Sequence, residues 1–330
     1  MNICMVGYGM MGQSHSETLL HSEAVGDVVL HTAVGRRADA VEAFAIRYGY
    51  RRWTTSLAEA LADPAVDVVV LATPSEQHEA QALACFAAGK HVLIEIPIAM
   101  SLAGAERVVA AGQAAGVVWG LCHPMRFRHE RIALRERVAA GEEHIRHIAG
   151  RFCFKRLTNM GATGYMRSWT DNILWHHFCH IVDLGMFLFE FAPIVRVQGF
   201  LGPLHPSTGV PMEAVVLAET EDGRTVLVNG SYHTQYRYQD KLIVTDRETY
   251  FFDSVTATLR TSEGVVPIQS EQVQFGRVLT DFLAAVREGR PPLAAGPTVL
   301  PAMRVLQAVQ DGWDARWGAQ SIPGRPLAPQ

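Results

Sequence analysis

The segment Asn2-Ile3-Cys4-Met5-Val6-Gly7-Tyr8-Gly9-Met10-Met11-Gly12 decides the fold. Asn2–Val6 reads as a strand, and the spacing Gly7-x-Gly9-x-x-Gly12 follows it directly at the start of a helix-forming stretch. In that setting the first glycine allows a tight turn, the second lets the backbone approach a pyrophosphate, and the third lets helix and strand pack closely. The new helix turns its unpaired N–H groups toward phosphate. Gly7, Gly9, Met10, Met11 and Gly12 are therefore expected to cradle a dinucleotide.

Outward from this turn, strands and helices alternate at short intervals. Val28–Val34 reads as a strand, Ala38–Tyr48 as a helix, and Val66–Ala72 (VDVVVLA) as a strand buried on both faces. Ser75–Ala88 is helical, His91–Ile96 is a strand, Ser101 caps a helix to Ala115, and Val117–Leu121 is a further strand. This is the pattern of an α/β fold, a Rossmann-type doubly wound parallel sheet over residues 1–122. Residues 123–330 read differently, as a second α/β domain. His147–Lys155, Val195–Leu201, Met212–Glu219 and Arg224–His233 read as strands, and Asp222-Gly223 is a hairpin signal, which makes this sheet mainly antiparallel. Helices are expected over Ile132–Ala140, Asn172–Phe189, Phe275–Glu288 and Pro297–Trp317, the last pair placed to pack back on the first domain.

Composition excludes several partners. A chain of 330 residues suits two cores, and its 48% hydrophobic and 19% charged residues are those of a globular protein. The net charge of −4 and the lack of a basic stripe argue against nucleic acid. No apolar run reaches the roughly 20 residues of a membrane span. The N-terminus enters the first strand without a charged leader, which is not the pattern of a signal peptide. The cysteines Cys4, Cys85, Cys122, Cys153 and Cys179 are scattered without CxxC spacing, so a cytoplasmic location is expected.

The second strand ends in Val34-Gly35-Arg36-Arg37. NAD would call for a carboxylate there to bind the ribose 2′-hydroxyl, whereas two guanidinium groups suit a 2′-phosphate. NADP is expected, with NAD as the weaker alternative. Thr73, Pro74, Glu95 and Pro97 lie at strand ends on the edge where ligands of such sheets bind, and His78 follows closely, so all five are expected near the cofactor. The second loaded stretch is Trp169–Asp183, WTDNILWHHFCHIVD. On an α-helix His176, His180 and Asp183 fall at i, i+4 and i+7 and share a face. Asp183 is expected to orient His180, which then takes a proton as hydride leaves; His176 is its alternative as base. Two histidines and a carboxylate also make a workable metal set, and a metal-dependent hydrolase or lyase is the reading that follows from it. A nicotinamide enzyme needs no metal to move a hydride, so none is expected.

Together the GxGxxG, Thr73-Pro74, Glu95-x-Pro97, Arg126-Phe127 and His180-x-x-Asp183 resemble the Gfo/Idh/MocA oxidoreductases over nearly the whole chain. The resemblance implies an open, mainly antiparallel sheet in the second domain through which subunits associate, as a homodimer or homotetramer. Two positions depart from that family: Ile96 stands where it carries a catalytic lysine, and His176 where it carries an aspartate. Glu95-Ile96-Pro97, Arg167–Asp171, Leu174–His177 and Gly202–Pro206 resemble one branch of the family. That branch uses NADP to oxidise the cyclic hemiacetal of a dicarboxylated semialdehyde from aromatic ring cleavage. A neutral imidazole can accept a hemiacetal proton, so the lysine is not obligatory. The two substrate carboxylates call for cations. His123, Arg126, Lys155, Arg156, Arg167, Trp169 and His177 are the expected substrate contacts. A dihydrodiol or sugar-acid dehydrogenase and a non-catalytic NADP-binding regulator are the alternatives.

Overall fold

The computed structural model describes residues 1–158, 160, 164, 168, 172–269 and 271–318. The chain divides into two compact units, 1–124 with 272–297, and 125–271 with 298–330. The boundary expected at residue 122 thus falls at Pro124, and a later segment returns to the first unit.

In the first unit the chain runs β1 (Asn2–Val6), α1 (Met10–His21), β2 (Val29–Val34), α2 (Ala38–Tyr48), β3 (Arg52–Thr54), α3 (Leu57–Ala62), β4 (Val68–Leu71), α4 (His78–Ala87), β5 (His91–Ile94), α5 (Leu102–Ala115) and β6 (Trp119–Leu121). Six parallel strands form one sheet in the order β3-β2-β1-β4-β5-β6. The order reverses between β1 and β4, and ligands of open α/β sheets bind beyond the strand ends at such a switch point. All four residues of β4 have no exposure, because helices cover both faces of a parallel strand. Ser101 caps α5 as expected, its hydroxyl accepting the Gly104 N–H at 3.1 Å. The short elements β3 and α3 carry too few residues to show a period in the sequence.

The second unit opens with α6 (His129–Ala139) and β7 (Ile145–Lys155). A π-helical turn, Leu174–Phe178, leads into α7 (Cys179–Leu188). Then follow β8 (Ile194–Leu201), β9 (Glu213–Thr220), β10 (Thr225–Ser231), β11 (His233–Thr245), β12 (Thr249–Asp253), β13 (Thr258–Thr261) and β14 (Gly264–Pro267). Helix α8 (Glu271–Glu288) belongs almost entirely to the first unit, and α9 (Leu300–Trp317) returns to the second. The eight strands are ordered β14-β13-β12-β11-β7-β10-β9-β8, and every pair is antiparallel except β7 with β10. The hairpin expected at Asp222-Gly223 joins β9 to β10, with Gly223 at φ +82° where a side chain would be strained. The strands β11 to β14 were not legible, since the first half of β11 (His233–Tyr238) is largely exposed and reads as a polar stretch.

Helices α7 and α9 pack on one face of this sheet. Every residue of α7 is buried except His180, which is half-buried. Trp175, on the π-turn, has no exposure and donates its indole N–H to Gln310 of α9 at 2.9 Å. Trp175→Phe keeps an aromatic core but leaves the Gln310 oxygen buried without that donor. It is expected to cost about 1–3 kcal/mol in urea unfolding, with the shape of the circular dichroism spectrum retained.

Candidate active site

The glycine turn has the geometry its sequence implied. Gly7 sits at φ +108°, and a Cβ there would run into the Ala72 carbonyl; a Cβ on Gly12 would run into the Gly7 carbonyl. Neither position admits a side chain. A Cβ on Gly9 would meet nothing within 4 Å, so this is the point where a pyrophosphate has room to approach. Gly9 is the N-cap of α1, no side chain caps that end, and the first turn carries no acid. The backbone N–H groups there are suited to phosphate. Met10 is exposed and Met11 half-buried beside this turn.

At the end of β2 the Tyr8 ring occupies the space a Cβ on Gly35 would need. Arg36 and Arg37 are both exposed. They are not equivalent. Arg37 donates to the Asp39 carboxylate at 2.8 and 3.2 Å, and that hydrogen-bonded pair raises the guanidinium above its ordinary range. Arg36 is left as the better candidate for a 2′-phosphate.

His78 and Glu95 differ from expectation. His78 is 1% exposed, and its ring bridges the Thr73 carbonyl at 2.8 Å and the Pro97 carbonyl at 2.7 Å. It ties together the two strand-end loops and does not itself reach out to a ligand. The Thr73 hydroxyl donates to Gln81 at 2.6 Å, and the Ile96–Pro97 peptide is cis. Glu95 is 7% exposed and bonds the His15 Nε2 at 2.8 Å. Burial alone would raise its carboxyl, but the His15 hydrogen bond and charge outweigh this and hold it below the ordinary range. His15 Nε2, a Glu95 oxygen and Cys122 Sγ lie within 4.8 Å of one another, a spacing a metal ion can use. Burial pushes the Cys122 thiol well up. The His15–Glu95 hydrogen bond ties the loop at Glu95 to α1. Sequence reasoning missed His15, whose place three residues after Gly12 on the buried side of α1 was the available signal. His123 is 2% exposed at the end of β6 in this unit.

In the second unit the histidine segment is not a regular α-helix. Asn172, with no exposure, accepts the backbone N–H groups of Leu174 and Trp175 at 3.0 and 3.2 Å, and the chain then makes a π-turn that contains His176 and His177. The wider turn, with its i→i+5 bonding, shifts the phase of His176 relative to His180 and Asp183, which keep their i, i+3 spacing on α7; such turns recur at functional sites.

Asp183 has no exposure. Its two oxygens accept the Arg126 fork, from Nε at 2.8 Å and Nη2 at 2.5 Å. Arg126 is equally buried, donates also to the Thr298 hydroxyl at 2.8 Å, and lies between the Phe187 and Phe191 rings. This corrects two expectations. Asp183, expected to orient His180, holds the Arg126 fork, and Arg126, expected to meet a substrate carboxylate, is enclosed in the core.

His177 is half-buried against Phe152 at 4.2 Å between ring centroids, with Phe154 and His176 edge-on at 5.3 and 4.3 Å. Its Nδ1 lies 2.5 Å from the Tyr232 hydroxyl, and the Arg156 guanidinium stacks over the Tyr232 ring at 5.1 Å. Tyr232 was missed, because its place between β10 and β11 gives it no motif. Strand alternation turns Lys155 to the sheet face opposite Phe152 and Phe154, so it does not join this cluster. Arg167 and Trp169 lie outside the described residues.

Comparison with known proteins agrees with this geometry. The profile described as "Oxidoreductase family, NAD-binding Rossmann fold" matches residues 1–123, and "Bacterial oxidoreductases, C-terminal" matches residues 130–259. The 4-carboxy-2-hydroxymuconate-6-semialdehyde dehydrogenase of Sphingobium sp. SYK-6 is 35% identical over 318 residues, 93% of this chain and 96% of that one. Myo-inositol 2-dehydrogenase of Thermotoga maritima is 27% identical over 90% of this chain and 91% of its own length. Levoglucosan dehydrogenase, solved with NADH and levoglucosan, superposes with a TM-score of 0.82 over 98% of this chain and 99% of its own, at 17% identity, which is a likeness of fold.

The buried ion pair gives a direct test of packing. Asp183→Ala leaves the Arg126 charge in the core and is expected to cost about 3–5 kcal/mol in denaturant unfolding. An apolar pair at both positions should recover most of that loss.

Proposed function

Because the chain belongs to the Gfo/Idh/MocA family of oxidoreductases, we propose that this dehydrogenase acts on the cyclic hemiacetal of 4-carboxy-2-hydroxymuconate-6-semialdehyde and yields 2-pyrone-4,6-dicarboxylate. One observation carries the reading of its chemistry. Helix α7 is buried along its length except at His180, a half-buried imidazole on a helix whose carboxylate, Asp183, is held by Arg126. The relationship to the Sphingobium dehydrogenase supports the substrate.

The glycine turn fits a dinucleotide, and the β2 end, with Arg36 and no carboxylate, favours NADP. Bound NADP supplies the hydride acceptor. The protein's task is to hold the hemiacetal carbon in reach and to take the hydroxyl proton. His180 accepts that proton, with His176 on the π-turn as the alternative base, and the product is the neutral lactone carbonyl. Ile96 brings no proton-transfer group, so the imidazoles perform what a lysine does in related enzymes. Arg156 and His177 meet the substrate's carboxylates or ring oxygen, giving orientation as well as affinity.

Two exposed apolar residues of the second sheet support self-association. Phe200 and Val215, 45% and 41% exposed, are cross-strand neighbours on the face opposite α7 and α9, and a second copy of the chain would cover them.

Two outcomes test the proposal. In a spectrophotometric assay with the enzymatically generated semialdehyde, His180→Asn should lower turnover by about 10²–10⁴-fold with the NADP dissociation constant unchanged. Equal losses in both would remove His180 from the chemistry. Arg36→Ala should weaken NADP by about tenfold or more in fluorescence titration and leave NAD unaffected.

A further inference from the structure

Two strands of the second sheet fall out of step at one point. β11 pairs with β7 at His233↔Lys155 and again at Tyr238↔Cys153, so Phe154 on β7 faces the whole of Thr234-Gln235-Tyr236-Arg237 on β11. Surplus residues of this kind leave the ladder and re-aim their side chains, and such bulges recur beside active sites. Gln235, Tyr236 and Arg237 are exposed.

The arginine does not trail into solvent. Its guanidinium lies over the Phe154 ring, 5.9 Å from the centroid, and its Nη2 donates to the Gln239 Oε1 at 2.8 Å. Phe154 also meets the His177 ring edge-on at 5.3 Å and the Tyr232 ring at 5.1 Å, and the Arg156 guanidinium stands over Tyr232 at 5.1 Å. Two guanidinium groups thus sit on neighbouring rings of the cluster that holds His177. Arg151, Arg196 and Arg224, on or beside the same sheet, pair with the carboxylates of Asp240, Glu219 and Asp222. Arg237 pairs with no carboxylate among the described residues, and Nη2 is the one nitrogen of its guanidinium that donates to a protein acceptor there.

We infer that Arg237 is a substrate-binding residue that takes one carboxylate of a ring dicarboxylate, with Arg156 taking the other. This rests on the reading above, in which Arg156 and His177 meet the substrate. A dicarboxylate calls for two cations. Of those expected from the sequence, Arg126 is enclosed in the core and Lys155 lies on the other face of the sheet, so Arg237 supplies the second charge. A guanidinium can grip a carboxylate through two parallel hydrogen bonds, and Phe154 supports the flat face of this one while its remaining donors stay available. Selectivity follows from the pair: a ring with a single carboxylate leaves one guanidinium without its anion.

The test is equilibrium binding, by isothermal titration calorimetry on the NADP-saturated protein. The probes are 2-pyrone-4,6-dicarboxylate and its two single-carboxylate analogues, 2-pyrone-4-carboxylate and 2-pyrone-6-carboxylate. Arg237→Gln, a change at an exposed side chain, should weaken the dicarboxylate by about tenfold to a hundredfold, and one monocarboxylate as much. The other monocarboxylate, which lacks the group Arg237 holds, should bind as it does to the parent. Arg237→Lys should recover part of the loss, and the NADP dissociation constant should stay put in both variants. Dicarboxylate binding untouched by Arg237→Gln, or equal weakening of the two monocarboxylates, overturns the inference and leaves the substrate reading standing. A parent protein that does not bind the dicarboxylate removes the substrate reading and the inference with it.

Discussion

A guanidinium and a carboxylate with no exposure, Arg126 and Asp183, meet through two hydrogen bonds inside an aromatic pocket, and helix α7 of the second unit is anchored by that contact. Two buried charges are costly unless each satisfies the other, so the pair tolerates little rotation of α7. Asp183 is fully buried, while His180, one turn earlier on the same helix, is half-buried. The two neighbouring arginines show the same economy: Arg128 donates to the Gln269 carbonyl at 2.9 Å, and Arg131 to the Met125 carbonyl at 3.0 Å while lying over the Phe252 ring.

Histidines divide by burial into two kinds. His15 and His78, each 1% exposed, are engaged inside the first unit, one with Glu95 and the other with two carbonyls, and they fix the loops beyond β4 and β5. His176, His177 and His180 are half-buried in the second unit. Ile96 fits this division. Ile96 brings no titratable group to the Glu95-Ile96-Pro97 loop, and proton transfer is proposed for the π-turn and α7 instead.

The parallel sheet was legible because glycine spacing and continuous apolar runs are local signals; α2 and α5 even begin and end where the sequence places them. The antiparallel sheet was legible only as far as β10, since β11 presents polar residues over its first half and its pairing with β7 is set by tertiary register. At the site, His176, His177 and His180 stood out by density, but the partners did not. Arg126 with Asp183 and His177 with Tyr232 are 57 and 55 residues apart, and nothing local announces either pair. The π-turn was equally hidden, because one extra residue per turn leaves the same apolar pattern and changes only its phase.

The proposed reaction is direct hydride transfer from a hemiacetal carbon to the nicotinamide, with the proton taken by an imidazole in place of a lysine. The most direct measurement uses semialdehyde deuterated at the hemiacetal carbon, with NADP and purified protein, followed by mass spectrometry of the reduced cofactor. One deuterium retained per reduced cofactor, with a primary isotope effect on the single-turnover rate, is the predicted result. Reduced cofactor without deuterium, or deuterium lost to solvent, would contradict it.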